Sequence, residues 1–142
     1  MKDNIICSGA LFYSTSTKRF LFLQRTDKKT QGLWGLVGGK SKFTESSFEG
    51  LKREIEEEVG STPKFKKVIP LEMFTSNDQK FYFHTYLIAV ESEFIPKLNE
   101  EHNGYCWCAF ECWPKNLHMG LKNTLNNRSI KGKLQTILDL IT

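Results

Sequence analysis

Residues 39–61 read GKSKFTESSFEGLKREIEEEVGS, and the second half of this stretch decides the fold. Ser46 followed by Glu49 makes a capping box, which sets a helix N-cap at Ser46. Phe48, Leu51, Ile55 and Val59 recur at helical spacing and define a buried stripe, and Gly60 is a natural stop. Four acids, Glu54, Glu56, Glu57 and Glu58, therefore crowd the last turn of the helix. The helix macrodipole leaves partial negative charge at that end, so carboxylates there are disfavoured. Glu54 also meets Glu57 and Glu58 at i,i+3 and i,i+4, and each like-charge pair costs about 0.2–0.5 kcal/mol. A local rule broken this densely points to function. The simplest compensation is a divalent cation, for which carboxylate oxygens are hard ligands. Glu54, Glu57 and Glu58 share an arc beside the apolar stripe, at a rim neither deep in the core nor opposite it. Glu56 falls on a different arc. Gly50, inside the helix, costs up to about 1 kcal/mol relative to Ala.

The flanking sequence alternates as strands do. Residues 4–14 and 19–25 read as two strands around STSTK, the second being RFLFLQR, in which Phe20, Phe22 and Gln24 alternate with Leu21, Leu23 and Arg25. TDKKTQG is a polar loop, and LWGLVGG is a short apolar stretch ending in paired glycines. After Pro63, FKKVIPLEMFTS and KFYFHTYLIAV read as a long hairpin turning at Asn77-Asp78-Gln79. Residues 91–103 form a polar loop with Glu93, Glu100, Glu101 and His102. Tyr105–Phe110 is a further strand, and SIKGKLQTILDLI is a closing amphipathic helix. The order strands, helix, strands, helix predicts an α+β or α/β fold, one mixed sheet sandwiched between helices. A single domain over residues 1–142 is expected from the length.

Composition excludes several classes. The chain is 39% hydrophobic and 25% charged, which is ordinary for a globular protein and not for a disordered one. Its net charge of +4, despite the acidic cluster, places Lys and Arg elsewhere. That suits an anionic ligand but is too mild for a nucleic-acid polymer groove. No apolar run is long enough to span a membrane, and IICSGALFY after the polar start does not fit a signal peptide. The expected location is cytoplasmic. Cys106 and Cys108 would share one strand face with Trp107 on the other, and C-x-C-x3-C is not a common zinc spacing, so free cysteines are expected. His84 reads as a packed strand residue, and Trp34, Phe81 and Phe83 as core aromatics that could also stack a base.

The stretch resembles the signature of the Nudix hydrolases, G-x5-E-x7-R-E-U-x-E-E-x-G-U, with U a bulky aliphatic residue. Gly39, Glu45, Arg53, Glu54, Ile55, Glu57, Glu58 and Gly60 match, giving a box at 39–61. With seven fixed identities at roughly 7% background usage each, a chance match anywhere in the chain is about one in a million. LFLQR with GLWGLVGG resembles the family's approach to the box, and Glu101-His102-x-x-Tyr105-x-Trp107 its acidic loop entering the last strand. The final U is Ser61, Val37 replaces a common proline, and the loop 40–44 lacks the usual glycine before Glu45.

The resemblance implies a MutT-like pyrophosphohydrolase acting on a nucleoside diphosphate linked to another group, with Mg2+ or Mn2+ as cofactor. It assigns Gly39, Glu54, Glu57 and Glu58 as metal ligands. The general base falls to Glu54 or Glu57, with Glu101 the loop alternative. Arg53 supports the catalytic set, expected to pair with Glu49 four residues back and to orient Glu57. Arg25 and Lys40 are candidate phosphate contacts. The expected partner is a small nucleotide, and a homodimer is compatible. A proline that ADP-ribose hydrolases tend to carry downstream of the box is missing, with Ser76 and Asn77 there instead. The reading therefore leans to a (deoxy)nucleoside triphosphate, noncanonical or oxidised forms included, giving a monophosphate and pyrophosphate. The alternatives are ADP-ribose or dinucleoside polyphosphate hydrolysis, or a non-catalytic nucleotide-sensing module.

Overall fold

The computed structural model describes residues 4–141. Met1–Asp3, most of the polar start, and Thr142 lie outside them. Seven strands form one mixed sheet: β1 (Ile5–Ser14), β2 (Arg19–Arg25), β3 (Trp34–Gly35), β4 (Val37–Lys40), β5 (Phe65–Thr75), β6 (Phe81–Val90) and β7 (His102–Ala109). The helices are α1 (Ser47–Val59), α2 (Met119–Asn126) and α3 (Arg128–Ile141). The main strand order is β3-β2-β1-β6-β5, with β4 added on β1 and β7 on β2. Among the described residues no helix is long and apolar enough to cross a membrane.

Strand alternation builds two cores, one on each face of the sheet. Ala10, Phe12, Leu21, Leu23, Ile88 and Val90 point to one side and meet Leu51, Ile55 and Val59 of α1. Leu11, Tyr13, Phe20, Phe22, Leu87 and Ala89 point to the other and meet Leu121, Leu125 and Leu134 of α2 and α3. Trp107 packs on the first core and Cys106 and Cys108 on the second, as their alternation requires. The two thiols lie 3.5 Å apart and all four cysteines are free. His84 stacks on Tyr86.

The topology differs from a simple hairpin series at β1. Its expected partner β2 touches it only at Tyr13–Phe20 and Ser14–Arg19. Its long partner is β6, parallel from Ile5–Phe81 to Ser14–Val90. The first half of β1 instead takes β4, from Cys7–Lys40 to Ala10–Val37. β2 thus leaves β1 after one end and carries β3 and β7 away with it. The helix α1 packs on β1 and β4.

Two expectations need correction. β7 begins at His102, so His102 belongs to a strand and not to the preceding loop. The helix α2 was not anticipated, because its cap is His118, whose Nδ1 accepts the Gly120 N–H at 3.3 Å, in place of the usual Ser, Thr, Asp or Asn. The expected boundaries of α1 are observed: Ser46 and Glu49 close the capping box, and Gly60 follows the last turn at φ +78°.

Gly50 is explained by packing. A Cβ there would lie 2.9 Å from the Ser41 Cα and closer still to its hydroxyl. Helix propensity alone predicts that Gly50→Ala gains about 1 kcal/mol. The contact with Ser41 reverses the sign, and overpacking of this kind costs about 1–3 kcal/mol. Urea unfolding should show Gly50→Ala less stable than the wild type; a gain would show that the loop moves freely away.

Candidate active site

The acidic end of α1 packs against β4 at Gly38-Gly39. Gly39 is a space requirement, since a Cβ would stand 2.6 Å from the Glu54 carboxyl carbon. The Gly38 N–H donates to Glu58 Oε1 at 3.1 Å. Glu58 is only 2% exposed, so the rim position expected for it is wrong. It follows Ile55 by three residues and Leu51 by seven, which places it on their buried face, and the Gly38 N–H supplies a polar partner there. Burial pushes its carboxyl well above the usual range, and neighbouring Glu54 and Glu101 push the same way, against the lowering effect of Gly38.

Arg53 is the positive centre of the cluster. It grips Glu45 with two bonds, Nε to Oε2 at 2.7 Å and Nη2 to Oε1 at 3.0 Å. Its Nη1 lies 3.3 Å from both Glu54 and Glu57, and Nη2 also donates to the Lys40 carbonyl at 3.0 Å. The expected pair with Glu49 is absent, because Glu49 is turned back to the Ser46 N–H in the capping box. The Glu57 contact is present. Arg53 holds Glu45 down to about 2, helped by the Lys42 N–H that Glu45 accepts at 2.7 Å. That pair of bonds closes the loop between Lys40 and Ser46 without the glycine usual there.

The loop carrying Glu101 is stitched to the same helix end. The Val59 carbonyl accepts from Lys97 N–H at 2.8 Å, and the Glu57 carbonyl from Asn99 Nδ2 at 3.0 Å. Both are carbonyls that the end of a helix leaves unpaired. Thr26 ties the other side, donating its N–H to the Glu101 carbonyl and its hydroxyl to the Glu100 carbonyl. Between these supports lies a cavity of about 310 Å³, lined by Arg25, Thr26, Asp27, Gly38, Glu58, Glu100, Glu101 and His102.

Of the residues singled out in the sequence, Glu58, Glu101 and Arg25 line this cavity, and Gly39 and Glu54 adjoin it through Gly38 and Glu58. Glu57 sits farther out, with its side chain 53% exposed and turned to Arg53. Arg25 is held beside the cavity by Asp27 at 3.1 Å and Thr30 at 2.7 Å. Lys40 is exposed at the end of β4 and does not line the cavity. Sequence reasoning missed Asn99, Thr26 and the Gly38 N–H, which act through contacts distant in the chain and leave no local signal. Glu45 matches the motif in sequence, but its part and that of Asp27 follow only from the arginines they hold.

The donor set suits a hard cation. Glu54 and Glu101 both stand close enough to Glu58 to disfavour its charge, and the side-chain donor atoms of all three are oxygens. Among the described residues no three acidic, histidine or cysteine side chains form a closed metal cage. Arg53 instead draws Glu54 and Glu57 toward itself.

A family model for the NUDIX domain matches residues 6–127. The chain belongs to the Nudix hydrolase family. Enzymes of this class hydrolyse pyrophosphate bonds in nucleoside diphosphate derivatives and generally use divalent cations. The fold is similar to that of a MutT Nudix hydrolase from Burkholderia pseudomallei, at 24% identity over 88% of this chain and 98% of that one, TM-score 0.71. It is similar also to a MutT protein from Methanosarcina mazei Go1, at 24% identity over 92% and 94%, TM-score 0.70. A C. elegans Ap4A hydrolase shares the fold at 19% identity over 94% and 98%, TM-score 0.69. No curated protein matches the chain in sequence.

The raised Glu58 carboxyl has a consequence for stability. Above the ordinary carboxylate value of 4.5 the unfolded chain has released a proton that folded Glu58 still holds. Its contribution is therefore fully present below that pH and is lost as pH rises through neutrality. Thermal melts in a chelator should show metal-free wild type losing stability with rising pH more steeply than Glu58→Gln. Parallel pH profiles would show that Glu58 is not protonated in the fold.

Proposed function

We propose that the protein is a metal-dependent hydrolase of a nucleoside triphosphate, standard, oxidised or otherwise noncanonical, releasing a monophosphate and pyrophosphate. The observation that carries this reading is the meeting of Glu54, Glu58 and Glu101 beside Gly38-Gly39 of β4, at a cavity that Arg25 also lines. Glu54, Glu57 and Glu58, with the Gly39 carbonyl, would hold one or more divalent cations, Mg2+ or Mn2+. A cation there neutralises phosphate charge and makes a bound water more acidic.

The chain's own residues supply the rest. Glu101, across the cavity from α1, accepts the proton of the water that attacks phosphorus. One phosphorus–oxygen bond forms to that water while the bond to the departing pyrophosphate breaks. The cavity position of Glu101 favours it over Glu57, whose carboxylate faces Arg53 and solvent. Arg25, already braced by Asp27 and Thr30, meets the phosphate chain, while Lys40 would do so only from outside the cavity. Arg53 is a positioning residue: it fixes Glu54, Glu57 and the closing loop at once. The preference for triphosphates rests on the missing ADP-ribose marker, where Ser76 and Asn77 stand. The whole of residues 1–142 is proposed to work as a single domain.

A panel of triphosphates, ADP-ribose, dinucleoside polyphosphates and NADH, tested with Mg2+ or Mn2+, should show turnover with triphosphates preferred. Binding without turnover anywhere on the panel would support a sensing module instead. Glu101→Gln should lower kcat by about 10²- to 10⁴-fold, the range for a general base, while leaving cation affinity near wild type. Glu54→Gln should instead weaken cation binding measured by calorimetry. The reverse pattern would exchange the two assignments.

A further inference from the structure

His102 shares the cavity with Glu58, Glu101 and Arg25 but has no role in the account above. It is only 7% exposed, and its Nδ1 is the buried side-chain atom that finds no hydrogen-bond partner among the described residues. Buried polar atoms of that kind are rare and call for an explanation. The local backbone supplies part of it. β2 and β7 pair regularly from Arg19–Ala109 to Gln24–Gly104, and then Arg25 pairs with His102, skipping Asn103. A bulge of this kind re-aims side chains and is common beside active sites. Asn103 turns out to solvent, and His102 turns in beside Arg25.

The sealed nitrogen decides the tautomer. A buried unpaired N–H is rarer than an under-satisfied acceptor, so the imidazole proton belongs on Nε2 and Nδ1 stays bare. Since Nδ1 is sealed, the Nε2 edge is what His102 presents to the cavity. Burial of the ring, and after it the adjacent Arg25, hold it neutral against the opposing pull of Asp27, its pKa down to about 4. A neutral donor suits this place, because it offers a hydrogen bond to an anion without pairing off the carboxylates that a cation needs.

We propose that His102 is a substrate-binding residue whose Nε2–H donates to a phosphate oxygen of the nucleotide, alongside Arg25. This rests on the hydrolase reading for the identity of the ligand, and its test is read without turnover. The probe is an α,β-methylene nucleoside triphosphate with Mg2+, which cannot be cleaved at that bridge. Nitrogen-15 NMR of the imidazole in the intact protein should show the proton on Nε2 at neutral pH, and addition of the probe should shift that resonance. A proton on Nδ1, a charged ring, or no shift with the probe would overturn the proposal.

Two substitutions separate contact from packing. The amide nitrogen of Gln reaches the position of Nε2, whereas that of Asn reaches only Nδ1. His102→Asn should weaken probe binding about ten- to hundredfold, the usual range for a hydrogen bond to a charged group. His102→Gln should recover most of that loss. Equal affinities for the two variants, with melting temperatures alike, would reduce His102 to a packing residue. A wild-type protein that binds the probe with the predicted shift yet cleaves nothing on the substrate panel would sink the hydrolase reading and leave His102 as a phosphate contact.

Discussion

The structure depends on forcing carboxylates together where a helix least tolerates them. Glu54, Glu57 and Glu58 occupy the negative end of α1, and Glu58 is buried there. Two devices make this tolerable without a cation. Arg53 spreads one positive charge over Glu45, Glu54 and Glu57, and the backbone at Gly38-Gly39 approaches closely enough to give Glu58 an N–H and Glu54 a place to lie. Neither device neutralises the set. One guanidinium faces three partners, and Glu58 keeps a raised affinity for its proton. On the proposed reading, such a cluster folds without a cation and takes one up on these acids.

The topology delivers the other half of the site. β1 spends one half on β4 and the other end on β2, so β4 and β2 meet different ends of the same strand. Arg25 and His102, at the adjoining ends of β2 and β7, line the cavity together with Glu58 of α1. The loop before β7 serves two purposes. It caps the carbonyls of Val59 and Glu57 through Lys97 and Asn99, and it carries Glu101 toward the acids of α1. Helix capping and construction of the site are therefore the same set of contacts.

Much of this was legible in residue order because the signals are local. The capping box and Gly60 bound α1 correctly, and alternation in RFLFLQR and KFYFHTYLIAV separates the two cores residue by residue. What escaped is non-local or competitive. The i,i+4 rule directed Arg53 to Glu49, but the capping box had already taken Glu49, and the partner came from Glu45 across the loop. A helical arc puts Glu58 beside the stripe without saying how far the sheet rises around it. Gly50 reads as a cost until Ser41 is seen against it. The bulge that turns His102 inward leaves no trace in the sequence, and α2 is short with an unusual cap.

On the proposed reading, the acids of α1 are held in an arrangement that a divalent cation relieves. Calorimetric titration of the chelator-treated protein with Mn2+, paired with its melting temperature at each point, tests it most directly. Saturable binding with a melting temperature that climbs in step, as linkage requires of a ligand that prefers the folded state, is the predicted result. Saturable binding should be lost in a Glu54→Gln, Glu58→Gln double variant that remains folded. If wild type and double variant take up Mn2+ alike, or if neither gains stability, the acids serve some purpose other than holding a metal.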